Sequence, residues 1–192
     1  MTIDEIQNKV ASILGKMSEG RLLEYLNNSD FWTAPASTKY HGAEKGGLAK
    51  HSYQVAINAF RISEALDIES PIADKLGFCM ILGICHDLCK VNFYKEGTKN
   101  VLDNGNWIKV PCYSVREDHT SYGHGMTSYI RTSELINNKS LLKQIEIPII
   151  YHMGNYDLGE QSVYGYGKAK NDFPWLSVLQ CADQLAAAVN KS

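Results

Sequence analysis

Apolar residues recur at helical spacing along most of the chain. Residues 48–66 place Val55, Ala59 and Ile62 where they would share one buried stripe of a long helix. Residues 76–84 form an almost continuous apolar run, typical of a buried helix, and Ser70-Pro71 supplies a start signal ahead of it. Further helices are predicted over residues 3–14, 21–27, 125–136, 141–152 and 173–189. The pattern predicts an all-α fold, with residues 1–192 forming a single domain.

The helical pattern is interrupted at about residues 91–118. There, Asn104-Gly105 lies between two arms rich in β-prone residues, and Asn-Gly is the strongest short-range signal for a hairpin turn. We therefore expect a small inserted β-hairpin, with Trp107 packing it onto the helical domain. Residues 154–171 are rich in Gly, Tyr and Asp and predict a long loop, which in a compact domain is often functional.

Composition narrows the classes of function. The 192 residues carry a net charge of −2, so the sequence does not predict an extended nucleic-acid-binding surface. No apolar run reaches membrane-spanning length and residues 1–5 lack signal-peptide features, so we expect a cytoplasmic protein without a membrane partner. The five cysteines contain no Cys-x-x-Cys pair. Cys85 and Cys89 are four apart, which fits reduced thiols packed beside a helix better than a soft-metal site.

The adjacent pair His86-Asp87 directly follows the apolar run. An imidazole suits Zn, Mn, Fe or Ni and a carboxylate suits hard cations, so the pair offers half of a metal site. His51, His124 and His152 lie within or beside other predicted helices. Asp183 is embedded in an apolar segment, where a carboxylate without a partner would be costly. Together these residues predict a metal site.

The order His51, His86-Asp87, His124, His152, Asp183 resembles the HD-domain metal-dependent phosphohydrolase superfamily, in the variant with two extra histidines. The resemblance covers roughly residues 35–190. Residues 35–41, followed by Gly46-Gly47-Leu48, are similar to the HD domain of bacterial 3′-to-5′ exoribonucleases and to small uncharacterised phage and bacterial HD hydrolases. The resemblance implies an HD-domain helical bundle that carries the hairpin as an insertion.

The same resemblance implies divalent transition metal ions, two in number, with Mn, Fe, Co, Ni and Zn all suited to the ligands. His51, His86, Asp87 and Asp183 would hold the first ion. Asp87, His124 and His152 would hold the second, so Asp87 would bridge the two. A phosphate ester would then be cleaved by a hydroxide that bridges the metals.

Two further residues are candidates for catalysis. Lys90 follows Asp87 by three positions, so its ammonium could face the substrate phosphate and stabilise developing charge. His41 matches an active-site position of the resembling exoribonucleases, which implies phosphate contact or proton donation to the leaving oxygen. Those enzymes have a His-His pair there, whereas this chain has Tyr40 before His41.

Several aromatic and cationic residues are candidates for binding the substrate, because stacking and positive charge suit a nucleobase and its phosphates. Lys39 and Lys45 flank His41 in the sequence. Tyr94, Arg116 and His119 lie in or near the predicted hairpin, and Tyr156 lies in the predicted late loop. None of these residues forms a base-reading code.

Three classes of function fit the sequence. The first is hydrolysis of a small phosphorylated substrate, a nucleotide or a short or cyclic oligonucleotide, with 3′-to-5′ exonuclease action on RNA or DNA ends as a variant. The second is a mixed-valent di-iron oxygenase, which the same ligand set also resembles, although Lys90 and residues 35–41 disfavour it. The third is a nucleotide sensor without catalysis. The oligomeric state is left open, a homo-oligomer included.

Overall fold

The computed structural model describes residues 1–117, 122–157 and 163–189. Within these ranges the fold is mostly helical with one two-stranded antiparallel sheet, as the sequence predicts. The helices are α1 (Ile3–Lys16), α2 (Gly20–Asn27), α3 (Gly47–Ala65), α4 (Lys75–Cys85), α5 (His124–Leu135), α6 (Lys139–Tyr151), α7 (Val163–Asp172) and α8 (Pro174–Val189). The strands are β1 (Tyr94–Asp103) and β2 (Asn106–Val115), and short 3-10 turns span Leu88–Lys90 and Gly154–Asp157.

Helix α4 is the centre of the core. Every residue from Gly77 to Cys85 is buried, and α3 packs along it while α8 packs on α3. The α3 and α4 backbones approach so closely that a Cβ at Gly83 would lie 2.6 Å from the Ala56 nitrogen. No helix in the described ranges is both long and apolar enough to span a membrane.

The start of α4 differs from the expectation. The sequence places the start signal at Ser70-Pro71, but the helix begins at Lys75. Asp74 is its N-cap, and its side chain accepts a hydrogen bond of 2.9 Å from the Gly77 nitrogen. Such a cap satisfies a backbone N–H that the first helical turn leaves unpaired, so Asp74 fixes the helix start.

The hairpin falls within the predicted stretch. Asn104 and Gly105 both have positive φ, 48° and 81°, as a type I′ turn requires. The prediction that Trp107 packs the hairpin onto the domain is wrong, because its side chain is 72% exposed. Trp107 pairs with Leu102 next to the turn, far from the body. The hairpin is attached at its base, where the Tyr94 hydroxyl donates to the Ala36 carbonyl at 3.4 Å.

The prediction of a long loop at residues 154–171 is also wrong in part. Of residues 154–171, the first four form a 3-10 turn and those from 163 onward form α7, while 158–162, like His119, lie outside the described residues. The Tyr166 hydroxyl donates to Gln180 Oε1 at 3.2 Å, and Gln180 Nε2 donates to the Tyr151 carbonyl at 3.0 Å. These contacts with α6 and α8 stabilise a helix that the glycine-rich composition disfavours.

Candidate metal centre

The fold brings all six predicted metal ligands together, although they are spread over more than 130 positions of the sequence. Each comes from a defined place in a helix or directly after one. His51 lies in the second turn of α3, His86 caps the C-terminus of α4 with Asp87 after it, His124 begins α5, His152 caps the C-terminus of α6, and Asp183 lies in the second half of α8. The cluster therefore lies where α3, α5, α6 and α8 surround the C-terminal end of α4.

The two oxygens of Asp87 face two different pairs of histidines. Oδ2 lies 3.4 Å from His86 Nε2 and 3.6 Å from His51 Nε2. Oδ1 lies 2.6 Å from His124 Nε2 and 3.9 Å from His152 Nε2. The Asp87 side chain is only 2% exposed. A carboxylate in this position can contact two cations at once, one through each oxygen.

Asp183 joins the first of these pairs. Its Oδ1 lies 3.0 Å from His51 Nε2 and 3.9 Å from His86 Nε2. Helix α8 is held against α3 at this level, because Asn58 Nδ2 donates to the Ala182 carbonyl at 3.2 Å. Asp183, for which the apolar segment makes a carboxylate without a partner costly, therefore has two imidazoles beside it.

Backbone carbonyls set the orientation of two imidazoles. His86 Nδ1 lies 2.6 Å from the Gly83 carbonyl oxygen and His152 Nδ1 lies 2.7 Å from that of Ile149. A carbonyl only accepts, so Nδ1 carries the proton in both rings and each Nε2 presents a lone pair to the cluster. The Nε2 atoms of His86 and His152 are buried without a hydrogen-bond partner. Metal ions would satisfy these nitrogens, so the residues fit a metal site.

The imidazoles of the cluster differ in charge. Burial lowers the pKa of His86, and burial lowers the pKa of His152 to about 3, so both imidazoles are neutral, as metal binding requires. Burial opposes ionisation of Asp87, but the charge of Lys90 and the hydrogen bond from His124 outweigh it and hold the pKa of this carboxyl well below its usual value. Burial also disfavours charge on His124, but its hydrogen bond to Asp87 raises the pKa of His124 to about 10.

Lys90 forms an ion pair with Asp87 at the edge of the cluster. Its Nζ donates to Asp87 Oδ2 at 2.7 Å, and the side chain is 15% exposed. Burial opposes the charge, but the Asp87 carboxylate outweighs it and raises the pKa of Lys90 above its usual value. Arg131 fixes the 3-10 turn that carries Lys90, donating to the carbonyls of Leu88 and Val91 at 2.8 Å each. Lys90 is thus held, charged, at the edge of the cluster.

Three adjoining cavities open beside the cluster. The central one, of about 360 Å³, is bordered by Asp87, Lys90 and Tyr94 among others. A second, of about 430 Å³, contains Lys39 and shares His41 with the central one. A third, of about 470 Å³, contains Tyr156 and shares Met153, Asp183 and Gln184 with the central one. The His41 ring lies 5.0 Å from that of His51, and Tyr156 is 95% exposed at the rim.

Two predicted substrate-binding residues lie elsewhere. Lys45 is exposed and borders none of these three cavities. Arg116 is exposed just beyond β2 and also borders none of these three cavities. Their roles in binding substrate stay predictions that the geometry does not support. Lys39, Tyr94 and Tyr156, by contrast, border cavities next to the cluster.

Cys85 and Cys89, both expected to be thiols packed beside a helix, lie in different surroundings. Cys85 is a core residue, and burial raises the pKa of its thiol to about 12. Cys89 lies at the cluster, with its Sγ 3.2 Å from His124 Nδ1 and 3.7 Å from His124 Nε2. Periodicity treats both thiols alike, because they are four residues apart. The helix ends between them, so they do not share a face.

No protein-family model, curated protein or solved structure matches the chain. Within the described residues, three groups have potential ligand atoms all within 4.8 Å of one another. These groups are His51, His86 and Asp87; His86, His152 and Asp183; and Asp87, Cys89 and His124. The buried cluster can therefore hold a metal ion.

Proposed function

We propose that the protein is a metal-dependent phosphohydrolase of the HD superfamily, acting on a nucleotide or on a short or cyclic oligonucleotide. The observation that carries the proposal is the position of Asp87 between two pairs of histidines. The Nε2 atoms of His86 and His152 near it are buried without a hydrogen-bond partner, and a cavity opens directly beside Asp87. Two metal ions bridged by one carboxylate are a recurrent arrangement for phosphate ester hydrolysis.

The ligands divide into two sets around Asp87. His51, His86 and Asp183 lie on its Oδ2 side and, with that oxygen, would hold the first ion. His124 and His152 lie on its Oδ1 side and would hold the second. Divalent ions bound there would supply charge neutralisation at the phosphoryl oxygens and an activated water at neutral pH.

Lys90 and His41 contribute without binding metal. The Lys90 ammonium borders the central cavity 2.7 Å from Asp87, so it can move to a phosphoryl oxygen and stabilise the charge that develops there. His41 borders the same cavity, and burial lowers its pKa, so a neutral imidazole N–H is available to donate to a phosphate oxygen or to the leaving oxygen.

The cavities favour a small substrate. Small-molecule sites usually enclose about 300–1,000 Å³, and the central cavity of about 360 Å³ with its two neighbours is of that order. Tyr94 lines the central cavity, and Tyr156 at the rim of the third exposes a ring on which a base can stack. Lys39 adds positive charge beside His41.

The test is hydrolysis of bis(p-nitrophenyl) phosphate and of a panel of nucleotides and short oligonucleotides, with Mn²⁺, Co²⁺ or Ni²⁺ added. We expect metal-dependent turnover that Asp87→Asn lowers by about 100-fold or more, because the negative charge shared by the two ions is lost and one oxygen ligand is replaced by an NH2 group. Lys143→Ala, an exposed position on α6, is the matched control and should retain the wild-type rate. Activity that survives Asp87→Asn would refute the mechanism. Aerobically purified protein that holds iron and consumes O₂ without hydrolysing any substrate would indicate the oxygenase instead.

A further inference from the structure

Cys89 lies on the same side of Asp87 as the second pair of histidines. Its Sγ is within hydrogen-bonding distance of the His124 ring, and the residue is 6% exposed. Its backbone nitrogen donates to Ser128 Oγ at 3.2 Å. Ser128 is one turn after His124 on α5, so the thiol is fixed relative to the helix that carries this histidine. Packing alone does not require a sulfur atom at this point.

The separation between the sulfur and the imidazole is of the order expected for two ligands of one ion. A thiolate about 2.3 Å and an imidazole nitrogen about 2.0–2.1 Å from a tetrahedral ion are about 3.6 Å apart. Cys89 Sγ lies 3.2 Å from His124 Nδ1 and 3.7 Å from His124 Nε2, so a turn of the His124 ring would let both residues bind one ion. Asp87, Cys89 and His124 also form one of the groups whose ligand atoms all lie within 4.8 Å of one another.

An independent observation points to a ligand at the same place. His152 Nε2 is buried without a hydrogen-bond partner and lies 3.9 Å from Asp87 Oδ1. Its ring is fixed from the other side by the Ile149 carbonyl, so this nitrogen is directed into the cluster. With Asp87, Cys89 and His124, it completes a set of four donors, the number that zinc takes in most protein sites.

We propose that Cys89 is a thiolate ligand of the second metal ion, together with Asp87, His124 and His152. The inference rests on the two-ion site of the proposed function. On binding, the Cys89 S–H bond breaks, its proton passes to solvent, and a sulfur–metal bond forms. A donor set with one thiolate selects Zn²⁺, Fe²⁺ or Co²⁺ over Mg²⁺ and Mn²⁺, whereas the first site has only nitrogen and oxygen donors.

Cobalt spectroscopy tests this directly, because a thiolate bound to Co²⁺ gives a near-ultraviolet charge-transfer band that nitrogen and oxygen ligands do not. The experiment uses the full chain with Cys112→Ser and Cys181→Ser introduced, so that the two most accessible thiols cannot bind the probe metal. We expect the band in Co²⁺-loaded protein and its loss when Cys89→Ser is added. Cys85→Ala, which removes a core thiol instead, should leave the band unchanged. Cys89→Ser should also weaken binding of one of the two ions by at least about tenfold.

X-ray absorption at the cobalt edge gives a second measurement that needs no Cys89 variant, with a sulfur neighbour expected at about 2.3 Å. Two bound ions with neither the band nor the sulfur neighbour would overturn the proposal and leave Cys89 as a residue that only positions His124. A band that survives Cys89→Ser would also overturn it. A band that requires Cys89 in a protein that hydrolyses no phosphate ester would support the ligand assignment while the proposed function fails.

Discussion

Removing metal ions should destabilise the protein strongly, and the structure gives the scale. Nε2 of His86 and Nε2 of His152 are buried without a hydrogen-bond partner. Leaving one such group unsatisfied costs about 1–3 kcal/mol, so the two cost about 2–6 kcal/mol that bound ions can recover. The folded state is therefore less stable without metal than with it.

Mass action sets the measurable shift. An ion present at about 100 times its Kd stabilises the folded chain by about 2.7 kcal/mol, and two independent ions by about 5 kcal/mol. For a chain of this length each kcal/mol raises Tm by about 2–4 °C, so we expect a rise of about 10–20 °C.

Differential scanning calorimetry of chelator-treated protein, with and without added Co²⁺, measures this shift. The matched control is Asp87→Asn, which keeps the shape of the side chain but removes the shared charge. We expect the variant to respond by no more than a few degrees, since it loses the negative charge shared by both sites and one of its two oxygen ligands. An equal rise in wild type and in Asp87→Asn, or none in wild type, would refute the assignment of Asp87 as the shared ligand.

Three other properties follow from the structure. Gly125→Ala should lower the free energy of unfolding by about 2 kcal/mol or more, because the added Cβ would lie 2.1 Å from the carbonyl oxygen of Ile150 in α6. The control Gly167→Ala adds a Cβ that meets nothing within 4 Å, so it should not destabilise the protein. Urea denaturation measures both. Ellman's reagent should find two fast thiols in the native protein, Cys112 and Cys181, and five in urea. In metal-free protein, His152 stays neutral in the folded state but binds a proton in the unfolded state below about pH 6.5. The free energy of unfolding should therefore fall as the pH is lowered from about 6.5 to about 3, by up to about 1.4 kcal/mol per pH unit.

Each of these expectations has a contradicting result. Equal unfolding free energies for the two glycine variants would show that α5 and α6 can separate at little cost. Fast labelling of all five thiols in native protein would show that the core thiols are accessible. If the free energy of unfolding fell as steeply with falling pH in metal-free His152→Gln as in metal-free wild type, His152 would not contribute to this fall.

Much of the architecture follows from local patterns. The apolar run before His86 predicts a buried helix, and α4 is buried from Gly77 onward because each face meets another helix. Asn104-Gly105 predicts the hairpin, because both residues tolerate the positive φ of its turn. The order of the histidines and aspartates predicts which side chains meet through its resemblance to the HD superfamily.

What local patterns do not predict depends on contacts between distant residues. Helix α7 is glycine-rich, and the Tyr166–Gln180 hydrogen bonds that stabilise it link positions 14 apart. Trp107 is apolar enough to suggest packing, but the length of the strands carries it away from the body. Cys89 contacts His124, 35 residues later, only because the 3-10 turn after Asp87 directs it toward α5.

The most direct test of the central claim is anomalous diffraction from crystals loaded with Co²⁺. The account predicts two peaks about 3.5–4 Å apart, one beside each oxygen of Asp87, with His51, His86 and Asp183 around the first and His124 and His152 around the second. Crystals of Asp87→Asn grown the same way should show neither peak. Fully loaded wild-type crystals without a peak near Asp87 would contradict the account.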